Sequence, residues 1–303
     1  MKRLLLATLL LLAACQQTSE RATVSRINQL IKSPQPEAAL VVADHYLKDQ
    51  PGSVAVARLR TLALLRLGEL DQAAAAVRQL PEADPVWKQA LAHSVPEVRV
   101  NAARLIAHLT TPPVDPSLLI DALDDSEAEV RGACAHTLGR LRTPAALRPL
   151  FRLLHDDVPT VRAEATRALG RLGNPHAIGW LAQLAADPDA NVRRSVTLAF
   201  RDLASESTRP ALLEGFRRAG PYQQFDFAVA LAKVGDPTAL SILTNAITLT
   251  NQEIRLLAVA ALGDLPAALV TNVLTPLQKD SDPAVRAEVN AILQKNTPPP
   301  PAP

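Results

Sequence analysis

The residues best able to carry chemistry in this chain are its six histidines, its two cysteines and its paired acids, and their spacing argues against catalysis. His45, His93, His108, His136, His155 and His176 never fall at i and i+4, the spacing that brings two ligands onto one helical face. No histidine pairs with a cysteine at a zinc-site spacing. Cys134 and His136 stand two positions apart and point in different directions on a helix. There is no G-x-S-x-G nucleophile turn, no phosphate-cradling glycine loop and no dinucleotide fingerprint. Asp124-Asp125 and Asp156-Asp157 lie in short polar turns, where helix capping explains them. The reading is of a protein that is not an enzyme, with no catalytic residue, no metal ligand and no cofactor.

The elements that would position any site are helices in a repeat. Val161 to Gly173 reads V-R-A-E-A-T-R-A-L-G-R-L-G, with apolar residues at offsets 0, 4, 7, 8 and 11. That spacing draws one stripe along an α-helix. Equivalent origins fall at Val98, Val130, Val192, Gln223, Ile254 and Val285, so the steps are 32 once and 31 five times. Offset 4 holds Ala102, Cys134, Ala165, Val196, Phe227, Ala258 and Val289, and offset 8 holds Ile106, Leu138, Leu169, Phe200, Leu231, Leu262 and Leu293. Helices that do not stack on one another have no reason to keep such a register. Cys134 reads as a small buried hydrophobe. The 303 residues are 48% hydrophobic but only 3% aromatic, which suits stacked helices with aliphatic cores.

Formal net charge is +2, but Lys2 and Arg3 lie in a leader-like start; without them 30 basic residues face 30 acidic ones. A neutral chain offers no global attraction for nucleic acid. Residues 1–14 join that basic start to an apolar run from Leu4 to Ala14, which suits an export signal and is too short to span a bilayer. Leu12-Ala13-Ala14-Cys15 resembles the lipobox of bacterial lipoproteins. The resemblance implies that Cys15 is lipidated, that 1–14 is a signal peptide and that 15–19 is a tether. Each buried CH₂ of such an anchor contributes roughly 0.8 kcal/mol to membrane binding. Gln16, where an aspartate would retain an enterobacterial lipoprotein, implies the outer membrane facing the periplasm.

Between residues 20 and 87 the period changes. Ala39-Leu40 with Pro51 is echoed 34 positions later by Ala73-Ala74 with Pro85. The stretch 64–85, L-L-R-L-G-E-L-D-Q-A-A-A-A-V-R-Q-L-P-E-A-D-P, resembles half of a tetratricopeptide repeat. That places Gly68 at the inter-helix turn and Ala73 at a small packing position.

Residues 88–296 carry the 31-residue units, whose first helices open near Pro116, Pro144, Pro175, Pro210, Pro237 and Pro266. Asp125, Asp156, Asp187 and Asp280 each precede an arginine by six positions: Arg131, Arg162, Arg193 and Arg286. With A-L-G-x-L-G in the best copy, this resembles HEAT repeats, especially the class named after phycobilisome lyases. The resemblance implies an aspartate–arginine ladder between neighbouring repeats. The pattern lapses at His93 in the first unit, at Arg218 and Gln224 in the fifth, and at Leu249 in the sixth. Residues 297–303 read as an extended proline-rich tail.

The expected architecture is therefore all-α, a right-handed α-solenoid of stacked helical hairpins, TPR-like and then HEAT-like. In HEAT folds offsets 2, 6 and 9 of the second helix line the concave side. Along that face stand Arg104, His136, Arg167, Arg194 and Arg201, then Phe225, Val229 and Leu256. The first half is basic and the second apolar. Phe225 at an outward position is what a peptide anchor requires. The function these features point to is a lipid-anchored envelope scaffold that holds a protein or peptide partner. Two alternatives stay open: a bilin-lyase-like enzyme or cofactor-attachment factor, and a glycan-binding lipoprotein using Trp87, Trp180 and Tyr222.

Overall fold

The computed structural model describes residues 20–81, 84–109 and 114–296. Among these residues every regular element is helical. Two compact units divide at Cys134 and Ala135. The signal peptide, Cys15, the tether and the proline tail lie outside the described residues.

In the first unit α1 (Glu20–Lys32), α2 (Glu37–Asp49), α3 (Val54–Leu67) and α4 (Leu70–Val77) form two hairpins. Ser53 opens α3, its hydroxyl accepting from the Val56 amide at 3.3 Å. Gly68 closes it at φ +76°, the left-handed conformation that glycine adopts without Cβ strain. Ala73 is fully buried. Next come α5 (Val86–Leu91), α6 (Pro96–His108) and α7 (Pro116–Asp121), and α8 (Ala128–Arg140) contains the division between the units.

The second unit continues with α9 (Leu147–Arg152), α10 (Pro159–Leu172), α11 (Ala177–Leu184), α12 (Ala190–Leu203), α13 (Arg209–Arg218) and α14 (Pro221–Lys233). It ends with α15 (Leu240–Ala246), α16 (Gln252–Leu262), α17 (Ala267–Leu274) and α18 (Pro283–Asn296). The second helices α10, α12, α14, α16 and α18 pack in sequence, each on the next. This succession of helical hairpins is the architecture of an α-solenoid.

The apolar stripe supplies the core. Val161, Ala165 and Leu169 of α10 are buried, as are Val192, Val196 and Phe200 of α12. Gly139 and Gly170 let successive second helices approach closely: a Cβ at either would stand 2.6 Å from the Cα of Ala168 or Ala199. The same place in α12 is held by Arg201.

The turns between helices carry the ladder. Asp156 accepts the Val158 amide at 2.9 Å, and Asp187 accepts the Asp189 amide at 2.8 Å, so each aspartate shapes its own turn. Arg162 then donates Nη1 to the Asp156 carbonyl at 2.8 Å and grips Asp187 of the next repeat through Nε and Nη2, at 2.9 and 3.0 Å. Arg99 joins Asp125 in the same forked way, both bonds 2.7 Å, and Arg58 joins Asp84 at 2.8 and 2.7 Å. A planar guanidinium holding two carboxylate oxygens sets direction as well as distance.

Candidate functional site

The ladder lapses around α14, and a cleft lies on α12, α14 and α16. Its lining comes from α12 (Arg193, Arg194, Thr197), α14 (Gln223, Phe225, Asp226) and α16 (Glu253, Ile254, Leu257), with a volume of about 690 Å³. Local sequence explains it. Gln223 takes the place of a stripe valine, and its amide turns aside to donate to the Ala182 carbonyl at 3.2 Å. Ile254, at the equivalent place in α16, is only half-buried and lines the cleft. Phe225 is half-buried beside it.

Directly behind Phe225, Phe227 is 1% exposed and stacks on Phe200 with ring centroids 4.6 Å apart. Gly215 makes room for that ring, because a Cβ there would meet Phe227 carbons at 2.4 Å. The two phenylalanines are therefore divided in role: Phe227 belongs to the core and Phe225 to the cleft wall.

Charged groups frame the opening. Arg194 pairs with Glu253, and Arg201 Nη2 lies 3.4 Å from Asp264 Oδ2. Both pairs run from α12 to the α16 hairpin and bypass α14, whose one acid, Asp226, is engaged by Thr197. Within the cleft Asp226 is 8% exposed and accepts the Thr197 hydroxyl. Burial pushes its carboxyl up to about 6, against the pull of the Thr197 hydrogen bond.

Arg193 keeps only half of its ladder bonds. Its Nη1 donates to the carbonyls of Asp187 at 2.7 Å and Pro188 at 3.0 Å. Among the described residues it has no carboxylate partner, because Arg218 stands in the place of the aspartate and pairs with Glu214 at 2.6 Å. A second cleft, of about 430 Å³, lies between α11 and α13 and reaches Gln223 from the other side.

The residues expected to form one continuous strip are distributed differently. In the first unit Arg104 is exposed and pairs with Glu129 at 2.8 Å. In the second, His136 Nδ1 lies 3.2 Å from Glu164 and Arg167 lies 2.6 Å from it. Burial raises the Glu164 carboxyl, yet the His136 hydrogen bond and the Arg167 charge hold it below the usual range. With Arg194 and Arg201 also paired, the basic half is compensated by carboxylates, three residues away for Arg167 and distant in the sequence for the others. Val229 corrects the expectation: it is 3% exposed and contributes nothing to a surface strip. Long side chains at that offset, such as Arg167, reach past the flanking helices, whereas a valine is enclosed by them. Leu256 is half-buried and lies outside the cleft lining. The apolar wall is Phe225 with Ile254 and Leu257.

Sequence reasoning missed Asp226 and Thr197. The available signal was an acid set between two phenylalanines at the head of the apolar run Phe227 to Ala232. Cys134 is fully buried and its thiol is pushed up to about 12, chiefly by burial, which suits a packing role and not a nucleophile. Among the described residues no acid–histidine–cysteine cluster could hold a metal ion, and no helix is long and apolar enough to cross a membrane.

Stacked hairpins with an arginine–aspartate ladder define an α-solenoid. The family model for HEAT repeats matches residues 83–165 and 152–222, which supports a HEAT-type family for this chain. No curated protein matches it by sequence. Among solved structures, it is similar to the complex of CpcE and CpcF of phycocyanin lyase from Nostoc sp. PCC7120. That likeness has 22% identity, covers 62% of this chain and 79% of the other, and has a TM-score of 0.46. A designed armadillo repeat protein is 18% identical over 70% of this chain and 99% of its own, with a TM-score of 0.42. An engineered protein is 18% identical over 69% and 94%, with a TM-score of 0.43. No functional reading rests on these likenesses.

Proposed function

We propose that this chain is a non-catalytic, lipid-anchored scaffold of the cell envelope that holds a segment of a partner protein against α12, α14 and α16. The observation that carries the reading is the cleft at Phe225, an aromatic wall placed where the repeat departs from its own pattern. A regular solenoid needs no such departure to fold, and a half-buried aromatic beside paired charges is suited to anchoring a peptide. The leader-like start and the Leu12-Ala13-Ala14-Cys15 sequence support export and lipidation, with the outer membrane as the destination.

The test is cross-linked affinity capture from detergent-solubilised envelope with the full chain and its Phe225→Ala variant. The expected result is a protein recovered with the wild type and lost with the variant. Recovery of a bound chromophore or glycan, or of proteins indifferent to Phe225, overturns the scaffold reading.

A further inference from the structure

Arg193 occupies the position of Arg162 one repeat later, and the two share half of their bonds. Each fixes Nη1 on the carbonyls of its own turn: Asp156 and Asp157 at 2.8 and 3.3 Å for Arg162, Asp187 and Pro188 at 2.7 and 3.0 Å for Arg193. That anchoring turns the Nε–Nη2 edge toward the following repeat. In Arg162 the edge holds the Asp187 carboxylate, and in Arg99 it holds Asp125. In Arg193 the same edge is unbonded among the described residues, and the side chain is exposed at the rim of the Phe225 cleft. The guanidinium is therefore oriented in advance for a carboxylate that the chain does not supply, so a ligand carboxylate would find little left to order.

We propose that this rung is completed by a partner: an aspartate or glutamate of an extended peptide binds the Nε–Nη2 edge of Arg193, with a neighbouring apolar side chain seated on Phe225, Ile254 and Leu257. The proposal rests on the scaffold reading and gives its partner a chemistry. Charge complementarity selects the occupant, since the same edge takes a carboxylate at the forked rungs of Arg58, Arg99 and Arg162. The apolar wall alongside demands a hydrophobic neighbour, which a free small anion lacks.

The probe is a displayed library of random octapeptides, panned on the full-length chain. Enriched peptides should carry an acidic residue close to a leucine, isoleucine, valine or phenylalanine. A synthetic peptide of the consensus should lose about tenfold or more in affinity on Arg193→Gln, equivalent to about 1.4 kcal/mol. Replacing its acid by the amide should cost the same, and combining the two changes should cost little more, because one bond is removed twice. Arg140→Gln, at an exposed arginine away from the cleft, should change affinity less than twofold. Melting curves of Arg193→Gln should match the wild type.

Peptides that bind through Phe225 without an acid, or acidic peptides held equally by Arg193→Gln, overturn the missing-rung proposal and leave the scaffold reading standing. A library that enriches nothing over a chain carrying both Arg193→Gln and Phe225→Ala also overturns it. The scaffold reading is then judged separately by envelope capture.

Discussion

Arg162 and Asp187 are clasped by two parallel hydrogen bonds of 2.9 and 3.0 Å, joining one repeat to the next with side chains only 13% and 8% exposed. One repeat further on the equivalent arginine, Arg193, has no such clasp. The contrast divides the second unit into a stretch where the ladder only aligns helices and a stretch where one of its arginines is left available.

The Arg162–Asp187 bond should matter more to stability than a surface ion pair. Removing one partner of a largely buried pair strands the other, so Arg162→Ala should cost about 2–4 kcal/mol, close to the 2–5 kcal/mol expected for Leu169→Ala in the core. Burial raises the Asp187 carboxyl, but the Arg162 hydrogen bond holds it below its ordinary 3.8. A depressed folded value gives stability that is present above 3.8 and lost as pH falls through that lower value. Arg162→Ala should weaken this acid-side loss, measured as the urea midpoint between neutral and acidic pH.

Gly170 should tolerate no side chain. A Cβ would stand 2.6 Å from Ala199 Cα, which only backbone separation of α10 and α12 can relieve. Gly170→Ala should cost about 1–3 kcal/mol despite the better helix propensity of alanine. Thermal unfolding unchanged or improved by this substitution contradicts the close approach.

Asp226 should make the protein less stable as pH rises. Its folded value of about 6 lies above its ordinary 3.8, so the fold favours the protonated form; stability declines between those values and then levels off. Asp226→Asn should be more stable than wild type by roughly 2–3 kcal/mol at pH 8, and nearly equal to it at the acid end of that range. A constant difference at both pH values excludes the titration of this carboxyl as the cause.

Phe225 and Phe227 should separate binding from folding. Phe227 is buried against Phe200, so Phe227→Ala should cost about 3–5 kcal/mol in unfolding experiments. Phe225→Ala should leave melting nearly unchanged and weaken partner capture by about tenfold, since area burial of a phenylalanine contributes roughly 1.5–3 kcal/mol. Equal drops in melting temperature for the two variants would falsify the division between core and cleft.

Cys15→Ala should release the protein from membranes or block its processing, because the residue closes Leu12-Ala13-Ala14-Cys15, the stretch that resembles a lipobox and on which the proposed anchor rests. Metabolic labelling with a palmitate analogue reads this directly. Wild-type protein that takes up no label rules out the anchor.

The sequence by itself determined the repeat, its helices and its core face. Apolar residues at offsets 0, 4 and 8 recur because i and i+4 are neighbours on one helix, a relation written along the chain and independent of where other helices lie. Val161, Ala165 and Leu169 were legible for that reason, whereas Arg162 as a ladder residue was legible only through the resemblance of its Asp-turn-Val-Arg pattern to HEAT repeats. Only the tertiary structure decided which charges meet. Arg194 pairs with Glu253 and Arg201 with Asp264, across a helix that separates them, so no spacing in the sequence announces either pair. It also decided that Val229 is enclosed while Phe225 borders a cleft, although both occupy outward offsets. Periodicity assigns a direction to a side chain; the helices packed on either side decide whether anything is left open there.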